Sequence, residues 1–89
     1  MRRLRLVVQN SEGLHARPAA VFVSKAARFA SRIQVRNATS GSQWADAKSI
    51  LGVLTLGVEP GHEVEIAIDG PDEEQAAAEL KGLIDSGLP

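Results

Sequence analysis

The sequence predicts an α+β fold, a single two-layer domain spanning residues 1–89 with a sheet on one side and helices on the other. Three observations carry this. Several segments alternate apolar and polar residues with the period of a strand, and others space apolar residues as a helix does. The two patterns interleave in the order β-α-β-β-α-β-α. Clean strand alternation means one buried face and one wet face, so the helices cover only the buried face.

Arg3 to Gln9 reads as the first strand, with Leu4, Leu6 and Val8 on one face and Arg3, Arg5 and Val7 on the other. Asn10-Ser11-Glu12-Gly13 is a turn cluster. Pro18 to Ala30 reads as a helix with Ala19, Phe22, Val23, Ala26 and Phe29 on one stripe. A proline fits its first turn and no later position. Ser31 to Arg36 is the second strand, with Ile33 and Val35 inward. Asn37 to Ser42 is a polar hairpin loop containing Gly41, and Gln43 to Ala47 is a short return strand in which Trp44 is a packing residue. Lys48 to Leu56 is a short helix ended by Gly57. Glu59-Pro60-Gly61 is a turn, with a solvated His62 beside it. Glu63 to Asp69 alternates, with Val64, Ile66 and Ile68 inward and Glu63, Glu65 and Asp69 outward, until Gly70-Pro71 breaks it. Asp72-Glu73-Glu74 opens the last helix with acids where its dipole favours them. Ala76, Ala77, Leu80, Leu83 and Ile84 form its buried stripe, and Gly87 closes it.

Hydrophobic residues at 44% and charged residues at 24% exclude a disordered chain. The lack of cysteine excludes disulfides, thiolate metal ligands and a cysteine nucleophile. The arginines at the N-terminus are not followed by the apolar run of a signal peptide. Ile50 to Val58 is too short and too rich in glycine to span a bilayer. A soluble, cytoplasmic protein without membrane insertion is expected.

Charge is unevenly placed. Residues 1–36 hold eight Lys/Arg against one Asp/Glu, a net +7, and residues 37–89 hold two against ten, a net −8. The basic residues are dispersed among strand and helix positions, and few aromatics are left for base stacking. Charge pairing between neighbouring elements is the first reading, a basic face toward an acidic protein partner the second. Nucleic acid is not expected.

Gly13-Leu14-His15-Ala16-Arg17-Pro18-Ala19-Ala20 is the segment that carries chemistry. With His15 as the N-cap, the first helical amides lack partners, and they and the dipole attract an anion. Arg17 adds a fork of donors suited to phosphate. Leu14 can pack against Ala19 as a hydrophobic staple. A neutral imidazole nitrogen can attack a phosphoryl group. Taken alone, a histidine at a helix start is ordinarily a solvated cap. With no second histidine nearby and no cysteine, no metal site or resident cofactor is expected.

The whole string is more specific than its parts. Gly13-Leu14-His15-Ala16-Arg17-Pro18-Ala19 resembles the active-site signature of the HPr family, the histidine-containing phosphocarriers of the bacterial sugar phosphotransferase system. Lys48-Ser49-Ile50-Leu51-Gly52-Val53-Leu54-Thr55-Leu56-Gly57 is similar to that family's regulatory-serine helix, and Pro60-Gly61 before Val64-Glu65-Ile66 to its fourth strand. The resemblance covers nearly the whole chain. It implies an open-faced sandwich, a four-stranded antiparallel sheet with three helices on one face. It implies that Enzyme I phosphorylates His15 on Nδ1, with phosphoenolpyruvate as ultimate donor, that Enzyme IIA proteins or domains accept the phosphate, and that Arg17 shields it. It also implies that Ser49 is a site for a dedicated HPr kinase/phosphorylase. The chain is then a monomeric carrier and not an enzyme in its own right. The loop from Asn37 to Gln43 is a few residues longer than the family usually has.

The apolar residues of the second helix cannot all face inward. By the family pattern Ile50, Leu51 and Leu54 are exposed, and Val53 and Leu56 are core. With Ala16 and Ala20 they would form the partner-binding surface. A phosphate on Ser49 would be tolerated by the helix N-terminus yet oppose an acidic partner. An unmodified capping serine is the alternative. Two other functions fit parts of the pattern: a regulatory relative serving a nitrogen-related or dihydroxyacetone-kinase phosphorelay, and a non-catalytic interaction module.

Overall fold

The computed structural model describes residues 1–88. Its elements follow the expected order: β1 (Arg2–Val7), α1 (Ala16–Ala26), β2 (Arg32–Asn37), β3 (Ala45–Asp46), α2 (Ile50–Leu54), β4 (Glu63–Asp69) and α3 (Glu73–Asp85). The strands form one antiparallel sheet in the order β1-β4-β2-β3. In β4, Val64, Ile66 and Ile68 lie on the covered face, opposite Leu6, Leu4 and Arg2 of β1 and opposite Asn37, Val35 and Ile33 of β2. Phe22 of α1, Val53 of α2, and Leu80 and Ile84 of α3 close over these residues, all nearly or wholly buried. Each such side chain contributes about 1.5–3 kcal/mol. The sandwich is open-faced, as the strand alternation requires.

The wet face is held by charge. Glu65 stands between Arg5 and Arg36 in register. It pairs with Arg36 at 2.9 Å, Arg3 at 3.3 Å and Arg5 at 3.8 Å. Hydrogen bonding from Arg36, followed by the charges of Arg36 and Arg3, holds its carboxyl below the usual carboxylate range. Arg2–Glu74 and Lys25–Glu79 join the basic front of the chain to its acidic rear in the same way. The uneven charge is thus largely spent inside the fold. Trp44 departs from expectation. It precedes β3, is 37% exposed, and lies with its ring centroid 5.8 Å from the Arg3 guanidinium and 5.5 Å from that of Arg36. It packs on the open face by cation–π contact rather than within a strand.

Element ends also differ, each for a local reason. β3 is two residues rather than five, and it ends at Asp46, where the chain turns. The Asp46 carboxylate accepts the Lys48 amide at 2.9 Å and its carbonyl the Ser49 amide at 3.0 Å. α2 is confined to Ile50–Leu54 because the amides of Leu56 and Gly57 bond three residues back, tightening the last turn. α1 begins at Ala16, two residues before Pro18, and ends at Ala26, after which Arg28 and Phe29 also bond three residues back. The next two amides leave the helix altogether. Ala30 and Ser31 donate to the Asp72 carboxylate at 2.8 and 3.0 Å, joined by the Ser31 hydroxyl. Asp72 therefore clamps the start of β2 to the start of α3 instead of capping α3 with its side chain. Gly70 lies against the same clamp, where a Cβ would stand 2.5 Å from the Ser31 Cα.

The hydrogen bond from the Ser31 hydroxyl, with those of the Ala30 and Ser31 amides, holds the Asp72 carboxyl below its ordinary value. A depressed folded value contributes stability above the unfolded pKa that is lost as pH falls through the folded one. Thermal melts of the wild type should therefore lose midpoint on acidification below about pH 5. Asp72→Asn should melt lower at neutral pH and show a flatter dependence across that range.

Candidate functional site

Gly13 and Leu14 set the site. Gly13 has φ +68°, and a Cβ there would lie 2.1 Å from the Val58 carbonyl oxygen. Only glycine fits that approach. The Leu14 amide donates to the same carbonyl at 3.0 Å. The Asn10 side chain donates to the Gly13 carbonyl at 2.9 Å. Leu14 and Ala19 are both fully buried in the core, as a staple at the helix entry requires. The loop before α1 is thereby pinned to the segment that leaves α2.

His15 is the N-cap of α1, in extended conformation with φ −125° and ψ 161°. Its carbonyl accepts the Ala19 amide at 3.4 Å, but its ring makes no capping bond. The ring turns instead to Glu59, with Nε2 at 3.0 Å from Oε2. A carboxylate only accepts, so the ring proton belongs on Nε2 and the lone pair on Nδ1. Ala16 follows in the left-handed region at φ +51°, a conformation costing a non-glycine residue roughly 1–2 kcal/mol. Among the described residues the Ala16 and Arg17 amides have no hydrogen-bond partner, and Pro18 has no amide to offer. The Arg17 side chain is exposed and makes no ion pair with any described residue. A nucleophilic nitrogen, two amides and a guanidinium, the last three without partners among the described residues, thus fall within three consecutive residues. That set can receive a phosphoryl group and neutralise its charge.

The second segment lies where expected. Ser49 is the N-cap of α2, and its hydroxyl oxygen accepts the Gly52 amide at 3.1 Å. Ile50, Leu51 and Leu54 are 39%, 73% and 38% exposed, while Val53 is fully buried and Leu56 nearly so. Ala16 and Ala20 are exposed on α1, which packs against α2. An open cleft of about 490 Å³ is lined by Asn10–Glu12, Ala16–Pro18 and Gly87–Leu88, and His15 is not part of its lining.

Three residues of the site are not visible in sequence patterning. Glu59 reads as part of a turn, yet it meets His15 across 44 positions of chain. His62 is not simply solvated. Its Nδ1 accepts the Glu59 amide and the Asn37 side-chain amide, each at 3.1 Å. Asn37 is fully buried, and its Oδ1 accepts the Thr39 and Ser40 amides at 3.0 and 3.2 Å. It organises the hairpin loop between β2 and β3. In the sequence Asn37 reads as the start of a polar loop, and its burial, which obliges every polar atom to find a partner, is seen only in the structure.

Among the described residues no cluster of His, Asp or Glu could hold a metal ion, and no helix is long and apolar enough to cross a membrane. The family whose description is "PTS HPr component phosphorylation site" matches residues 3–86. The phosphocarrier protein HPr of Haemophilus influenzae is 47% identical over 74 residues, covering 83% of this chain and 84% of that protein. The multiphosphoryl transfer protein of Vibrio cholerae is 42% identical over 81 residues, covering 91% of this chain. This chain spans only 20% of that longer protein. The crystal structure of HPr-C-His from Thermoanaerobacter tengcongensis superposes with TM-score 0.92 at 41% identity, covering 98% of this chain and 94% of that one. The fold, the histidine at the head of α1 and a match along almost the entire sequence converge: this chain belongs to the HPr family of phosphocarrier proteins.

Proposed function

We propose that this chain accepts a phosphoryl group from Enzyme I on Nδ1 of His15 and passes it to Enzyme IIA proteins or domains of the sugar phosphotransferase system. The observation that carries this reading is the set of the His15 ring. Its Nε2 faces a carboxylate, which leaves Nδ1 with the lone pair, two residues from a guanidinium that no described acid neutralises. Loading requires no general base, because the attacking nitrogen holds no proton. Arg17 and the amides of Ala16 and Arg17 meet the incoming charge. The partners supply the remaining positioning, so the chain is a carrier and not an enzyme.

The partner surface is the apolar face of Ile50, Leu51 and Leu54 together with Ala16 and Ala20. Its exposure supports this, since a helix that buried all its large residues would leave nothing to dock. The continuous path from Leu54 through Val58 to Glu59 ties the patch to the reactive ring. Ser49 is a regulatory phosphorylation site for the HPr kinase/phosphorylase. As N-cap of a solvent-exposed turn it would add about two negative charges beside the patch.

Incubation with Enzyme I and phosphoenolpyruvate should place an acid-labile, base-stable phosphate on the wild type and none on His15→Ala. An unlabelled wild type would sink the reading. Leu51→Ser should fold as the wild type does, because the side chain is 73% exposed. It should raise the KM for acceptance from Enzyme I by about fivefold to thirtyfold, the cost of one lost docking anchor of ~1–2 kcal/mol. Ser49→Asp keeps a capping oxygen and adds charge, and should raise the same KM in steady-state assays without lowering the melting temperature.

A further inference from the structure

Glu59 lies in an exposed turn, yet the backbone around it is fixed. Its amide donates to His62 Nδ1 at 3.1 Å and its carbonyl accepts the His62 amide at 3.0 Å. His62 is anchored in turn. Its carbonyl accepts the Val8 amide at 2.9 Å, and its Nδ1 takes the Asn37 side-chain amide at 3.1 Å. Asn37 is fully buried and also donates to the Leu56 carbonyl at 3.2 Å. Because two N–H groups donate to His62 Nδ1, that ring carries its own proton on Nε2. A path of hydrogen bonds therefore runs from the buried end of β2 to the backbone of Glu59, whose carboxylate meets His15.

We propose that Glu59 is a positioning residue for phosphoryl transfer, holding the His15 ring proton on Nε2 through both loading and unloading so that Nδ1 alone attacks and Nδ1 alone leaves. The inference rests on the carrier reading and specifies how its ring is kept ready. On loading, the Nδ1 lone pair forms the N–P bond while the bond between phosphorus and the donor atom breaks, and the donor keeps that electron pair. The phosphorylated ring then carries a positive charge, with Nε2–H still facing the Glu59 carboxylate. On unloading, the P–Nδ1 bond breaks, its electrons return to Nδ1, and phosphorus bonds to the acceptor. No proton joins or leaves the ring in either step. The carboxylate offsets the ring charge without touching the phosphate, which Arg17 and the free amides receive at the opposite nitrogen.

The test reads the ring directly. Nitrogen-15 spectra of histidine-labelled protein distinguish the two neutral tautomers, and a purely structural residue would not move their ratio. Glu59 is 59% exposed, so the bond is a solvent-screened one. In Glu59→Ala the Nδ1–H tautomer of His15 should rise about twofold to fivefold over the wild type. Glu59→Gln keeps an acceptor oxygen and should stay closer to the wild type than to the alanine variant. Phosphoramidate, a small donor that needs no partner protein, should label wild-type His15 on Nδ1. The share of label on Nε2 should rise in Glu59→Ala by a similar factor. An unchanged tautomer ratio in Glu59→Ala, or wild-type label on Nε2, would overturn the proposal. Failure of Enzyme I to load the wild type would instead strike the carrier reading, while the ring spectra and the phosphoramidate products still judge Glu59.

Discussion

Gly13 and Val58 approach so closely that a Cβ on the glycine would stand 2.1 Å from the Val58 carbonyl oxygen, and the Leu14 amide takes that same oxygen at 3.0 Å. Much of the site depends on this junction. It fixes where α1 begins, and so where His15 stands. It brings the turn after α2 alongside, which delivers Glu59 to the ring and sets the apolar patch of α2 on the same pinned segment. The core secures both sides of the junction, through Leu14 on one and Val58 on the other, each fully buried. A reactive imidazole at a helix entry would be a mobile cap without it. With it, the ring has one hydrogen-bonded nitrogen and one without a partner among the described residues.

The two faces of the sandwich divide the work. The covered face supplies the apolar burial that stabilises so small a domain. The open face consumes cations: three arginines converge on Glu65, and two of them flank Trp44. Exposed pairs of this kind each contribute little to stability. Their consequence is electrostatic. With Arg2, Arg3, Arg5, Lys25 and Arg36 paired, the cations without an acidic partner among the described residues are Arg17, Arg28, Arg32 and Lys48, and of these only Arg17 belongs to the α1 entry with its free amides. The α1 entry therefore favours an anion, although Glu59 stands at the Nε2 side of His15 and the chain as a whole is slightly acidic.

Periodicity made most of this architecture legible. The alternation of Glu63 to Asp69 matches β4 residue for residue, and the stripe from Ala76 to Ile84 lies on the buried face of α3, with Leu83 half-buried at its edge. That some apolar residues of α2 must be exposed followed from counting them against the width of one helical face, and the resemblance to the family named Ile50, Leu51 and Leu54 among them. What patterning could not supply are contacts between distant loops. Asp72 reads as a helix-opening acid, yet its carboxylate serves Ala30 and Ser31, and His62 reads as solvated, yet it accepts two hydrogen bonds. Ends of elements shifted too, where side chains such as Asp46 bond backbone amides just beyond the element. Glu59 belongs to this class. No local rule points from a turn carboxylate to a histidine far earlier in the chain.

The account turns on which nitrogen of His15 carries the phosphate and what surrounds it. A structure of the phosphorylated protein measures this most directly. It should show phosphorus bonded to Nδ1, the Arg17 guanidinium or the α1 amides at about 2.7–2.9 Å from its oxygens, and Nε2 still on the Glu59 carboxylate. Phosphate on Nε2, or on a residue other than His15, would contradict it.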